Sequence, residues 1–279
     1  MTMQAMPATC QTCPAYNAAS LKKLGVSTEG ADYVIALAGN PNTGKSTVFN
    51  ALTGLRQHVG NWPGKTVARA EGGFTYHDKT YKLVDLPGTY SLLSTSTDEE
   101  IARNFILFGQ PSVTIVVVDA TRLERNLNLA LQILQITDRV VVALNLMDEA
   151  KRHGIEIDVR HLSRKLGVPV IPMAARQMQG IPELLDAIDN VARNKVATKP
   201  HHIRQQDSQV EYALNTLVEE IEAAYPGLPN ARWVALRLLD GDESIEQAIS
   251  ENRLGTLAET ATIMQQPAPE PIIAVEAIS

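Results

Sequence analysis

Three short clusters of residues in this sequence have the types and spacing to do chemistry. The first is Gly39 to Ser46, GNPNTGKS, which fits GxxxxGKS. It follows the apolar run YVIALA and opens a helix-like stretch, and that is the context its mechanism needs. Glycines let a backbone wrap a phosphate, and successive N–H groups at a helix N-terminus favour negative charge. Lys45 is placed to reach the β and γ phosphates, and Ser46 to ligate Mg²⁺. Gly39, Asn40, Pro41, Asn42, Thr43, Gly44 and Thr47 complete the expected cradle. The second cluster is Asp85-Leu86-Pro87-Gly88, a DxxG. Asp85 is expected to hold Mg²⁺ through water, and the Gly88 N–H to sense a γ-phosphate. The third is Asn145-Leu146-Met147-Asp148, an NxxD. Its carboxylate can accept from both N–H groups on the Watson–Crick edge of guanine. Adenine would leave that carboxylate unpaired, a penalty of about 1–3 kcal/mol. Either tetrapeptide alone is common by chance. In this order, each at the end of a predicted strand, they point to guanine.

Two further segments belong to the same expectation. GNWPGKTVARAEG, Gly60 to Gly72, reads as a mobile segment whose Thr66 completes the Mg²⁺ shell or else begins a strand. Trp62 within it reads as a packing residue. IPMAARQMQG places Ala174, Ala175 and Arg176 where a loop would touch guanine with backbone N–H groups. The catalytic set expected from these residues is Lys45, Thr66 and Gly88.

Such residues need a scaffold that aligns several strand ends. Tyr33 to Ala38, Val113 to Val118 and Val140 to Leu144 are continuous runs rich in β-branched residues, as in parallel strands covered on both faces. Val67 to Thr75 and Lys79 to Val84 flank Tyr76-His77-Asp78, a hairpin signal. Val168 to Pro172 adds a short strand. Ser46 to Thr53, Asn126 to Ile136 and Gly180 to Ala192 read as helices. The alternation predicts an α/β fold, a mostly parallel six-stranded sheet with helices on both faces. Beyond Lys195 the pattern turns all-helical. Val210, Leu214, Leu217, Val218 and Ile221 share one helical face, Ala231 to Leu239 makes a second helix, and Ser244 to Ile249 starts a third. The expected division is an N-terminal arm at 1–31, a nucleotide-binding domain at 32–195, a helical domain at 196–265 and an extended Pro-rich tail at 266–279.

Composition narrows the class. Of 279 residues, 44% are hydrophobic and 20% charged, which suits a folded chain. The net charge is −6 and no basic stripe appears, so nucleic-acid backbone binding is not expected. No apolar run reaches 18 residues, and no secretory signal opens the chain. Cys10 and Cys13 form CQTC without a second CxxC or a His pair, so they read as incidental thiols. The histidines, including His201-His202, show no convergent ligand spacing.

GNPNTGKSTVFNALTG, VGNWPGKTV, DLPGTYSL and NLMD together resemble the cytosolic N-terminal part of the ferrous-iron transport protein B family. RWVALRLLDGD, Arg232 to Asp242, resembles that family's helical domain. The likeness covers about residues 33 to 265. It implies a GTPase domain and a helical domain placed before a polytopic membrane transport domain, on the cytoplasmic side of the bacterial inner membrane. It also implies small cytosolic iron-transport accessory proteins as partners. In the family the second asparagine of GNPN, here Asn42, helps hold K⁺ beside the phosphates, so K⁺-stimulated hydrolysis is expected. A Ras-type GTPase orients water with a glutamine after DxxG; here that residue is Thr89, so slow intrinsic turnover is expected. NxxD commonly carries lysine second, where this chain has Leu146. The guanine loop usually begins Ser-Ala, where this chain has Ala174-Ala175. Both departures favour micromolar GDP binding with fast release. Two competing readings stay open at this point: a nucleotide sensor that does not hydrolyse, and a GTPase acting in ribosome assembly or tRNA modification.

Overall fold

The computed structural model describes residues 21–250 apart from 23, 55–56, 94–95, 201–207, 226–227 and 229. Cys10, Cys13, His201, His202 and the 266–279 tail lie outside the described residues. The sheet has seven strands: β1 (Tyr33–Gly39), β2 (Gln57–Asn61), β3 (Ala68–Tyr76), β4 (Lys79–Asp85), β5 (Val113–Asp119), β6 (Val140–Asn145) and β7 (Val170–Pro172). Their order is β2-β3-β4-β1-β5-β6-β7. β4, β1, β5, β6 and β7 run parallel, while β2 and β3 join antiparallel at one edge. The α/β class holds. The strand count is seven rather than six because Gln57–Asn61 pairs with β3, from Gln57 opposite Gly72 to Asn61 opposite Ala68. Part of the segment read as mobile is therefore one arm of a hairpin.

The central strands form because every residue of β5 and β6 is buried, and β-branched side chains fit a pleat covered on both sides. Their alternate residues feed two cores. Ile35, Leu37, Ile115, Val117, Val141 and Ala143 face α1 (Lys45–Thr53), whose Val48 and Phe49 fill that layer. Val34, Ala36, Ala38, Val116, Val118 and Val142 face the opposite layer. That layer holds α2 (Thr97–Gly109), α3 (Leu123–Ile136), α4 (Met147–Arg152) and α5 (Val159–Leu166). α6 (Ile181–Ala192) returns to the α1 side. At its C-terminal end Asp189, its side chain 3% exposed, receives hydrogen bonds from the Tyr81 hydroxyl (2.5 Å), Arg193 Nε (2.5 Å) and Lys195 Nζ (2.8 Å). Arg193 also pairs with Asp78 in the β3–β4 turn at 2.5 Å, so this network staples the hairpin to α6.

The helical region comprises α7 (Ser208–Ala224), α8 (Ala231–Leu239) and α9 (Glu243–Ser250). Leu214, Ile221, Trp233, Val234 and Ile245 are buried in the same cluster as α2 and α3, so this core is continuous with the sheet's. Two polar junctions fix it. Asn230 accepts from Trp233 N–H, starting α8, and its amide nitrogen donates to the Gln135 and Ile136 carbonyls at the end of α3, both at 2.8 Å. Arg103 of α2, 1% exposed, donates to Ser244 Oγ at 2.9 Å and lies 3.9 Å from Asp242. No helix among the described residues is long and apolar enough to cross a membrane.

Candidate functional site

The three motifs converge at the C-terminal edge of the parallel strands, where open α/β sheets bind ligands. Strand pairing aligns them: Leu37 lies beside Asp85, Gly39 beside Val117, and Asp119 beside Asn145. β1 ends at Gly39, and the following loop enters α1 through Gly44. Gly44 sits at φ 83°, and a Cβ there would stand 2.3 Å from Asn145 Nδ2. Only glycine allows that approach. Thr43 closes the loop by donating its hydroxyl to the Asn40 carbonyl at 2.9 Å. Ser46 and Thr47 are exposed on the first turn of α1, and Asn42 is exposed in the left-handed region at φ 66°. Asn40 is 2% exposed, and neither atom of its amide head has a hydrogen-bond partner.

Lys45 Nζ donates to Asp85 Oδ1 at 2.5 Å and to the Leu86 carbonyl at 2.7 Å. The lysine of the first motif and the carboxylate of the second thus share one spot. Burial raises the Asp85 pKa, and the adjacent Lys45 charge pulls it back only in part. Gly88 lies against Pro41, whose ring begins 3.5 Å from where a Gly88 Cβ would stand. Thr89, in the position of the missing glutamine, is buried, and the exposed Tyr90 ring lies 4.4 Å beneath the Arg125 guanidinium. Thr66 is exposed in the β2–β3 connection. Because Ala70 pairs with Asp85 and β3 runs antiparallel to β4, Thr66 lies beyond the strand end on the same edge as the loop. Trp62 is buried edge-on to Phe105 at 5.5 Å, the packing role expected.

Asn145 uses both ends of its amide. Nδ2 donates to the Thr43 carbonyl at 3.0 Å, and Oδ1 accepts the Ala175 N–H at 3.0 Å. Leu146 follows at φ 63°, turning the chain into α4 with Asp148 in its first turn. Ala174 and Ala175 are buried, while Arg176 is exposed. Gly180, at φ 81°, lets the loop return into α6; a Cβ there would meet the Pro172 carbonyl at 2.5 Å. Sequence reasoning passed over Gln177, whose Nε2 donates to Asp148 Oδ2 at 3.0 Å. Only the folded loop brings it there.

The donors fit Mg²⁺. The Ser46 hydroxyl and the Asp85 carboxylate are hard oxygens, and Mg²⁺ is commonly held by one or two such groups, phosphates and water rather than a protein cage. Among the described residues no group of three His, Cys, Asp or Glu side chains forms such a cage.

A glycine loop at a helix N-terminus, DxxG and NxxD at the ends of two parallel strands of the same sheet, and a loop bonded back to that asparagine define a P-loop GTPase. Residues 33–188 match the family described as ferrous iron transport protein B, and residues 207–268 match its cytosolic helical domain. The chain belongs to the ferrous iron transport protein B family. It is 44% identical over 212 residues to the Fe(2+) transporter FeoB of Salmonella typhimurium, covering 75% of this chain and 27% of that one. The Escherichia coli relative of the same name gives the same values. The chain thus spans roughly a quarter of these relatives' length. Among solved structures, the cytosolic domain of L. pneumophila FeoB is 38% identical with a TM-score of 0.72, covering 81% of this chain and 89% of that one. The T. maritima FeoB cytosolic domain in its GDP form I is 36% identical, also at 0.72, covering 82% and 91%.

Proposed function

We propose that this chain binds GTP with Mg²⁺, hydrolyses it slowly to GDP and phosphate, and thereby sets the state of a ferrous-iron transport domain attached to it. The observation that carries the reading is Asn145, whose one amide joins the phosphate loop at Thr43 to the guanine loop at Ala175. With the Lys45–Asp85 contact, that bridge makes one site of three motifs. In it Lys45 and the loop amides would neutralise the β and γ oxygens, Gly88 would donate to the γ-phosphate, and Asp148 would read guanine. Ser46, Asp85 and Thr66 would hold Mg²⁺, which supplies charge neutralisation to the phosphates. Asn42, exposed beside that cradle, would hold K⁺, which supplies charge of the kind an arginine finger provides elsewhere. With Thr89 buried, no side chain directly after DxxG is free to orient water, which supports slow turnover. Fast GDP release fits Ala174, which lacks a bracing hydroxyl. We place the division between nucleotide-binding and helical domains near Lys195, with the membrane domain and small cytosolic accessory proteins as partners of the longer protein.

Single-turnover GTP hydrolysis tests this. Hydrolysis should be faster in K⁺ than in Na⁺, and Asn42→Ala should lose that difference. Asp148→Asn should shift preference from GTP to xanthosine triphosphate. Equal rates in both cations with Asn42→Ala no slower would remove the K⁺ role. A buried Thr89 also suits a second reading, a sensor that binds without hydrolysing. GTP bound tightly but intact after many hours would select it.

A further inference from the structure

We infer that Gln177 is a positioning residue for the guanine base: its side-chain amide holds the Asp148 carboxylate in the plane that receives the base. The inference rests on the guanine reading above and names a residue outside all three motifs. Gln177 Nε2 donates to Asp148 Oδ2 at 3.0 Å. The other neighbour of that oxygen is Arg152 at 3.8 Å, whose side chain is 69% exposed, an ordinary surface pair one helical turn away.

The loop fixes the Gln177 backbone before any base arrives. Ala175 to Gln177 make a tight helical turn in which Gln177 N–H donates to the Ala174 carbonyl at 2.9 Å. Ala174 and Gln179 exchange backbone hydrogen bonds at 3.1 and 3.3 Å, closing the loop. Met178 reverses the chain at φ 58°. NLMD is therefore bonded to this loop at both ends: Asn145 Oδ1 to the Ala175 N–H, and Asp148 Oδ2 to Gln177.

A carboxylate offers about four lone-pair sites on two oxygens. The N1–H and N2–H groups of guanine take one on each oxygen, which leaves a second lone pair on Oδ2 for Gln177. The contact therefore adds to base binding rather than competing with it. Its effect is orientational. The terminal torsion of an aspartate is broad, so an unbraced carboxylate turns out of the base plane at little cost. Ala174, the first residue of the loop, has only a methyl group and cannot supply such a donor. Gln177 supplies it from three positions further on.

The test uses stopped-flow release of a fluorescent GDP analogue, with competition by GDP and inosine diphosphate, which lacks the 2-amino group. Gln177→Ala should raise the release rate about fivefold with the association rate unchanged, as expected for loss of one hydrogen bond at an exposed site. It should also narrow the preference for GDP over inosine diphosphate, since only an oriented carboxylate grips both donors. Gln177→Glu should bind GDP more weakly than Gln177→Ala at pH 7.5 and recover as pH falls towards 5, when the new carboxyl protonates and can donate. A merely structural role would not move that pH profile. Unchanged release and selectivity in Gln177→Ala overturn the inference, and so does tighter binding, which would make Gln177 a competitor of the base. If the unaltered chain itself does not prefer guanine to adenine nucleotides, the guanine reading fails first and the inference with it.

Discussion

Asp189 offers a perturbation whose size follows from the structure. Burial alone would raise its pKa, but hydrogen bonds from Lys195, Tyr81 and Arg193 outweigh that and hold it down to about 2, against an ordinary 3.8. A pKa lowered in the folded state means the ionised form is favoured by folding. Its contribution is complete above the unfolded value near 4 and is lost as pH falls towards 2. At about 1.36 kcal/mol per pKa unit, the difference amounts to about 2.5 kcal/mol at neutral pH. The Asp189 side chain is 3% exposed while Lys195 is 50% exposed, so solvent screens only part of the attraction. Asp189→Asn keeps the shape and removes the charge. Urea unfolding at pH 7 should show a loss of about 2–3 kcal/mol, seen as a lower midpoint at similar slope. The gap from the unaltered chain should shrink steadily below pH 4. Tyr81→Phe, which removes one donor and leaves both cations, should cost only about 1 kcal/mol. A gap under about 0.5 kcal/mol at pH 7, or one that stays constant from pH 5 to pH 2.5, would refute the reasoning.

Gly44→Ala forces a Cβ to 2.3 Å from Asn145 Nδ2 at a φ of 83°. Backbone strain of about 1–2 kcal/mol and two displaced Asn145 hydrogen bonds should together weaken GDP binding about a hundredfold by equilibrium titration. Arg103→Met removes a buried cation and leaves Asp242, whose side chain is 6% exposed, without it. Breaking such a contact should cost about 3–5 kcal/mol, and calorimetry should show α7 to α9 melting ahead of the sheet. A single unshifted transition would count against that junction.

The central strands were legible because residues buried on both faces must be apolar throughout, and VTIVVVD leaves little alternative. The site was legible at its motifs, where phosphate and guanine demand particular groups at strand ends. β2 was hidden because QHVGN is an edge strand, with His58 and Val59 exposed. α2 was hidden for the opposite reason. From Glu99 to Gly109 nearly every residue is buried, so no polar stripe marks a helical period, and Arg103 and Asn104 lie inside. Ser96 did carry a start signal, since its hydroxyl accepts the Glu99 N–H. α5 places Val159, Leu162 and Leu166 at helical spacing, but it is only eight residues long and only Leu166 is fully buried, so its pattern is brief. Gln177 meets Asp148 across 29 positions, through a loop geometry that spacing alone does not reveal.

Asn230 ends one helix and begins another with a single side chain. Such a shared terminus behaves as a latch. α8 cannot swing away from α3 without stripping both the Gln135 and Ile136 carbonyls, a cost of about 1 kcal/mol for each bond. Small tilts of the helical region are therefore resisted, and larger ones proceed as an all-or-none release.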